Sequence, residues 1–416
     1  MSSIPEDLFL QILKRVPVKT TLVCKCVCKK WLDLISTSEF IKMHLDFNIQ
    51  KKNYNLMLKN TVNEFSKSWL LQSISYDSLS ATGRNACQDG VVQMDCPFKS
   101  EDYCVTLRCS YHGLVFLCFS DFRTKTILCL WNPATTEFKI IPEPPRVDFK
   151  DIERLDYSDI HTLGYQFPDI YSIGYDQKMD DYKLVKLLIG GKNTVVHIYT
   201  LGSNSWKCIG TIPYKFPYHS GRSGEIVSGA LHWLIKTATN FKAIVSFDVA
   251  EERFQEFQLP ENFLEKKESL NCNTCLADCE GYLCLLVNSD NYQFDVWVMQ
   301  EYGVHKSWAK LSSITLTFVA GESFYSRNHV WSSDNSSRTL RLMCYFKNGK
   351  ILFGFCGDLI LYDLERETYE RIRTLVGNVE KYVESLVSLN SSTYMSKLKT
   401  RGVNLKLKGK DIVSGW

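Results

Sequence analysis

The chain has 416 residues, of which 45% are hydrophobic and 13% aromatic, enough for a large core and too apolar for a disordered segment. Its 49 basic and 46 acidic residues leave a net charge of +3, a balance that argues against a nucleic-acid binder. No run approaches the roughly 18 apolar residues that span a membrane, and no basic segment followed by an apolar run opens the chain. An intracellular protein of the cytoplasm, the nucleus or both is expected, with its 16 cysteines as reduced thiols.

Residues 4–45 read as two or three short helices with almost no loop. Pro5 suits a first helical turn, where its missing N–H costs nothing. Glu6 and Asp7 place negative charge where the helix dipole favours it. Leu8, Ile12, Leu13 and Val16 recur at helical spacing, and Pro17 ends the helix. A second stripe follows in Leu22, Val27, Trp31, Leu34 and Ile35. A module of roughly forty residues buries too little surface to stand alone. It must lean on the rest of the chain, on a partner, or on both.

Residues 46–60 read as a hinge. Beyond it helical periodicity stops, and short apolar runs alternate with Asn, Asp, Gly and Ser turn signals. A weak repeat emerges. A hydrophobic strand follows Gly113, Gly229, Gly281 and Gly349, and YKLVKLLI at Tyr182 takes the same part without the glycine. Each is followed by a strand, a tight polar turn and a second strand bearing an aromatic: Phe138, Trp206, Phe254, Trp308 and Tyr369. That makes five units, and the strands of 54–108 offer a sixth. Small antiparallel sheets of this kind bury both faces by stacking around an axis. The expected architecture is α+β overall: a small all-α module, then an all-β, kelch-like β-propeller. Two unit spacings, 47 and 52 residues, match a propeller blade. The other two, 69 and 68, hold insertions at 142–170 and 312–348, the favoured positions for substrate binding. YVESLVSLN, at 382–390, reads as the strand that closes the last blade. The tail from Met395 carries six Lys/Arg and one Asp and reads as a solvated end.

Catalytic chemistry is not visible. Cys272 and Cys275 have metal-ligand spacing, yet no second pair follows, and no metal or cofactor is expected. Cys24, Cys26 and Cys28 fan around a helix rather than converge. His232 reads as a satisfied structural histidine. Asp248 and Asp363 recur before turns and read as turn caps rather than an acid–base pair. The chain reads as a non-catalytic binding protein. The other reading is a small-ligand or sugar-binding protein, or an enzyme, built on the propeller axis with the helices as a cap.

Ile4-Pro5, Leu8, Ile12-Leu13, Val16-Pro17-Val18-Lys19 and Cys26-Val27-Cys28-Lys29-Lys30-Trp31 together resemble an F-box of the plant type. Thr21, Val23 and Cys24 depart from its usual Leu, Arg and Phe. From residue 109 to about 375, LWNPATTEFKIIP, IYSIGYDQKMDDYKLVKL, SGALHWLI and VWVMQEYGVHKSWAKL resemble the plant F-box-associated domain, type 1. The resemblance implies an F-box at 1–45, a substrate-binding domain at 46–394 and a basic tail at 395–416. It implies a Skp-family adaptor, held by Ile4, Pro5, Leu8, Ile12, Leu13, Val16, Pro17, Val27 and Trp31, and through it a cullin-type ubiquitin ligase. The YSIGYDQKMDDYKLVKL block is similar to S-locus F-box proteins, which implies a pistil S-ribonuclease as the target.

Overall fold

In the computed structural model the first fifty residues form four helices rather than two or three: α1 (Glu6–Leu13), α2 (Val18–Cys24), α3 (Lys29–Ile35) and α4 (Ser38–Gln50). The structure describes residues 5–390 except 62–68, 84–89, 99–101, 122–125, 146–168, 190–192, 217–222, 237–241, 261–273, 291–292, 316–340, 347, 356–357 and 375–378. The helix starts follow local chemistry. Pro5 and Pro17 stand at the N-caps of α1 and α2, with φ near −55°. Thr37 caps α4 by accepting from the Phe40 N–H, and Glu39 sits in its first turn. Phe40, His44, Leu45 and Asn48 keep a buried face on α4 as far as residue 48. The segment 46–60 is therefore no hinge. Its first part is helix, its second part is strand β1 (Tyr54–Thr61), and Lys51–Asn53 join them.

Six four-stranded antiparallel sheets follow. One contains β1, β2 (Trp69–Ser75) and the short β3 (Val92–Gln93), with α5 (Tyr76–Thr82) between the last two. The next runs β4 (Cys104–Tyr111), β5 (Leu114–Ser120), β6 (Thr126–Trp131), β7 (Phe138–Ile141). Then come β8 (Asp169–Asp176), β9 (Asp181–Ile189), β10 (Thr194–Thr200), β11 (Ser205–Ile212). The fourth is β12 (Glu225–Val227), β13 (Ala230–Lys236), β14 (Lys242–Asp248), β15 (Arg253–Phe257). The fifth is β16 (Thr274–Cys279), β17 (Tyr282–Asp290), β18 (Gln293–Met299), β19 (Trp308–Thr315). The sixth is β20 (Arg341–Tyr345), β21 (Lys350–Phe355), β22 (Asp358–Asp363), β23 (Thr368–Thr374). The last strand, β24 (Val379–Val383), pairs with β1, from Tyr54↔Val383 to Leu58↔Val379. The first blade thus takes three strands from one end of the chain and one from the other. This is a six-bladed propeller, and its closure corrects the expectation for 382–390: only Tyr382 and Val383 of that segment are strand, and the blade that β24 completes is the first, not the last. The repeat glycines mark the first turn inside a blade, not its start, because each blade begins one strand earlier, at the axis.

Antiparallel alternation sorts the connections onto two faces. The turns between first and second strands and between third and fourth strands lie on the face that carries α4. The end of β7 and start of β8, which flank 142–168, and the end of β19 and start of β20, which flank 316–340, lie on the far face, so the expected insertions 142–170 and 312–348 are shorter than read: 169–170, 312–315 and 341–345 are strand. Most of both insertions, 146–168 and 316–340, is outside the described residues.

The turn chemistry is repetitive. His112-Gly113, Ser228-Gly229 and Glu280-Gly281 all take consecutive positive φ, the two central residues of a type I′ hairpin. Gly113 is fixed twice over, since a Cβ there would also meet the Val383 carbonyl oxygen at 2.9 Å. Asp176, Asp248 and Asp363 each accept two backbone N–H bonds from the turn that follows, at 2.8–3.1 Å. Asp248 and Asp363 thus cap their turns. The hairpin aromatics tie blade to blade: Trp206 Nε1 donates to the Pro142 carbonyl at 2.6 Å and Trp308 Nε1 to Gln258 at 3.2 Å. Phe138 is the exception, 45% exposed beside Phe98.

Between the third and fourth blades the apolar core holds a buried cation. Lys183, 2% exposed, pairs with Asp176 at 2.7 Å and Glu252 at 2.9 Å, and donates to the Val249 carbonyl at 2.9 Å. Burial alone would push the Lys183 ammonium down. Its bonds to Asp176 and Glu252 outweigh that and raise it. Lys183→Ala strands Asp176 at 1% exposure with no counter-charge. The expected loss is about 3–5 kcal/mol of stability, read by denaturant unfolding.

Two of the three buried histidines among the described residues, His44 and His232, are hydrogen-bonded at both ring nitrogens. His44 Nε2 donates to the Val16 carbonyl at 2.8 Å and its Nδ1 accepts from Asn48 Nδ2 at 3.1 Å. His232 Nδ1 donates to the Glu225 carbonyl at 3.2 Å and its Nε2 accepts from the Tyr302 hydroxyl at 2.9 Å. Burial lowers both rings from 6.5, His232 to about 4. The folded chain then binds fewer protons than the unfolded chain. Stability is full above pH 6.5 and falls between about 6.5 and 4, and His232→Gln flattens that fall in melts taken across the window.

Candidate functional site

The four helices present two apolar sides. The inner side packs on the propeller: Leu13, Val18, Ile35 and Phe40 form one cluster with Ala134 and Leu386. Leu45 reaches the cluster between the second and third blades, with Ile41 and Ile49 beside it. Asn132 Nδ2 donates to the Ser385 and Val387 carbonyls at 3.2 and 2.7 Å, which holds Leu386 in place. Polar contacts add direction: Lys42 pairs with Asp180 at 2.8 Å, and Lys52 pairs with Glu280.

The outer side is bare. Leu8 is 56% exposed, Ile12 55%, Val23 67%, Val27 61% and Leu32 44%. Five of the thirteen strongly exposed large apolar side chains among the described residues thus fall within 25 residues of chain. Leu8 and Ile12 share a face of α1 at i, i+4. Burying such a side chain is worth about 1.5–3 kcal/mol. Since each is already about half-buried, five of them supply on the order of 5 kcal/mol gross, toward the low end of the roughly 4–15 kcal/mol that association costs.

The residues singled out from the sequence divide between the two sides. Leu8, Ile12 and Val27 stand on the bare side, and Pro5 and Pro17 are exposed at the N-caps. Ile4 lies outside the described residues. Leu13 is a correction: at 3% exposure it packs against the propeller and offers no free surface. Val16 is half-buried and gives its carbonyl to His44. Trp31 is half-buried edge-on against Phe9, at 4.7 Å between ring centres, and so braces α3 on α1. Val23 and Leu32 were missed. Their signal was the inward pattern of their own helices, which leaves them outside. Of the three departures from the F-box pattern, Thr21 is fully buried with its hydroxyl donated to the Val16 and Pro17 carbonyls, and Cys24 is half-buried in the module core. Val23 alone among them alters the outer surface, and it adds apolar area.

A second place of interest is the propeller axis. A cavity of about 110 Å³ runs between the inner strands, lined by Glu225, Asp278, Arg341, Glu380 and Lys381, with Ile49 and Tyr54 at its helical end. Pockets for small ligands typically measure roughly 300–1,000 Å³. Among the described residues no group of three His, Cys, Asp or Glu is placed to hold a metal. Cys275 is buried on β16, and Cys272 lies outside the described residues.

With these sides described, the likeness to known proteins is specific. The model of the F-box associated beta propeller domain matches residues 91–389, and that of the F-box domain matches residues 1–43. The chain belongs to the F-box proteins with an F-box-associated β-propeller. It is similar to F-box protein CPR1 of Arabidopsis thaliana, 28% identical over 395 residues that span 90% of this chain and 85% of that protein. It is also similar to F-box/kelch-repeat protein At3g23880 of the same plant, 29% identical over 317 residues, 75% of this chain and 79% of that one. In this F-box protein the propeller is larger than the matched range, since β1 and β2 precede residue 91 and complete the first blade. No helix among the described residues is long and apolar enough to cross a membrane.

The two sides of the F-box call for opposite responses to one substitution. Leu13→Asp places a charge in the packed seam and is expected to cost about 3 kcal/mol or more. Ile12→Asp, one residue away on the bare side, is expected to change stability by less than about 0.5 kcal/mol. Paired thermal melts of the two variants read the difference.

Proposed function

We propose that this chain is the substrate-recognition subunit of an SCF-type E3 ubiquitin ligase. One observation carries the reading: the bare apolar row Leu8, Ile12, Val23, Val27 and Leu32 sits on a module whose other side is already taken up by the propeller. A Skp-family adaptor covers that row and brings a cullin. The far face, where the strand ends around 142–170 and 312–348 emerge, receives a target protein. Catalysis in this reading is proximity: a target lysine is held near ubiquitin carried by other subunits, and the chain itself contributes no reacting group. The small axial cavity supports this over an enzyme or sugar-binding protein.

A pistil S-ribonuclease is the narrower reading of the target. It rests on the YSIGYDQKMDDYKLVKL block and the insertion before it, and a chain at +3 offers no strong complementary net charge to a basic ribonuclease. Capture of purified S-ribonuclease by the full chain, against an unrelated basic ribonuclease as control, tests it.

The adaptor reading is tested with the full chain, because a cut at residue 45 would split α4. Wild type and the double variant Ile12→Asp, Val27→Asp are each mixed with a plant Skp-family adaptor, and affinity is measured by calorimetry. The expected result is at least a hundredfold loss with an unchanged melting temperature. Equal affinity in the double variant overturns the assignment of this surface.

A further inference from the structure

The axial cavity has an unbalanced charge. Arg341 and Glu380 form a two-pronged pair, Nη1 to Oε1 at 3.0 Å and Nη2 to Oε2 at 3.2 Å, and Arg341 also donates to the Val379 carbonyl. Lys381 pairs with Asp278 at 3.3 Å. Both cations are thus matched by a carboxylate of their own. Glu225 is the fifth charged group, and among the described residues its carboxylate has neither an ion pair nor a hydrogen bond. It sits midway along the axis, because its register partner His232 is the third residue of β13. Arg341 and Glu380 begin their strands on the far-face side of it, while Asp278 lies toward the helices. Tyr54 and Ile49 stand at the helical end.

We propose that this cavity is a binding site for one organic cation, the end of an alkylammonium or guanidinium group, with Glu225 as its counter-charge. The volume of about 110 Å³ admits a side-chain end or three to four waters at roughly 30 Å³ each, and no larger ligand. The cation would enter beside two pairs that are each neutral as units and meet a net charge of −1. Burial pushes the Glu225 carboxyl above its ordinary range although Arg341 and Lys381 pull the other way. A carboxylate left alone there is costly, and a cation beside it removes that cost. The hydroxyls of Ser110 and Tyr111 stand nearby, although Ser110 is already donated to the Lys381 carbonyl. The far face carries the target in the function proposed above, but the cavity stands on its own geometry.

The test uses the full chain and two neutral or charged probes of equal size, n-butylammonium and n-butanol, followed by ligand-detected NMR. Wild type is expected to bind butylammonium in the millimolar range and butanol at least tenfold more weakly. Glu225→Gln is expected to lose at least tenfold for butylammonium while melting at the same or a higher temperature, since a half-buried carboxylate without a partner of its own has been removed. Equal binding of the two probes, equal binding by wild type and Glu225→Gln, or a lowered melting temperature in that variant overturns the proposal. A blocked peptide, Ser-Ser-Lys-Ser-Ser, separates the two sources of the cation. Competition by the peptide assigns the site to a protruding lysine of another protein, and binding of butylammonium alone assigns it to a small free amine. Neither result depends on the Skp-family adaptor, so loss of adaptor binding leaves this test intact.

Discussion

The pairing of β24 with β1 is the constraint on which the rest depends. Five residues of one chain end lie beside five of the other, and the ring of blades exists only when they meet. Each blade buries its faces against two neighbours. Without closure the blades next to the gap would expose the residues that now form two of the clusters, including Leu56, Leu58, Met57 and Tyr382. The entropic cost of joining ends more than 300 residues apart grows only with the logarithm of length, so a modest ladder plus two packed interfaces outweighs it.

Closure also positions the helices. α4 runs into β1 through three residues, and the chain leaving β24 turns at once across the second blade, where Asn132 and Glu137 hold residues 385–389. Leu386 from that segment enters the core of the F-box. The strand that seals the ring and the helix that begins it therefore meet at the same place. The F-box is seated on the closure itself, and its inner side is fixed by the same contacts that complete the first blade. That arrangement explains why a module of this size holds four helices with so little core of its own.

Rigidity continues inward from there. The Lys183–Asp176–Glu252 group crosses between two blades, and the Arg341–Glu380 and Lys381–Asp278 pairs cross between inner strands. Pairs of this kind add little net stability over apolar packing, but they tolerate only one register. For the ligase subunit proposed above, a fixed distance between the bare side of the helices and the far face would be the useful property. The same inner strands that brace the ring leave Glu225 without a partner, so the axis is both a strut and a place with unspent charge.

Much of this was legible in the residues. Helical spacing marked the N-terminal module, and a glycine before four of the apolar strands marked the blades; at Gly113, Gly229 and Gly281 the reason is a type I′ turn, which demands positive φ. Asp248 and Asp363 declared themselves as turn caps by recurring at one point of the repeat. What local pattern leaves open is which of two apolar sides meets which neighbour. Leu13 and Ile12 are adjacent and equally apolar, and only the position of Ala134 and Leu386, more than 120 residues away in the chain, turns one inward and leaves the other bare. The continuation of α4 through residue 50 had the same cause, since its last turns are stabilised by contacts with the propeller and not by their own sequence. The axial charges lie on different inner strands, spread over more than 150 residues, and the pairing that satisfies four of them and omits Glu225 comes into being only when the ring closes. Sequence determined the periodicities and the turns, because those are interactions between near neighbours. Tertiary structure decided the sides and the pairings, because those depend on partners that nothing local can specify.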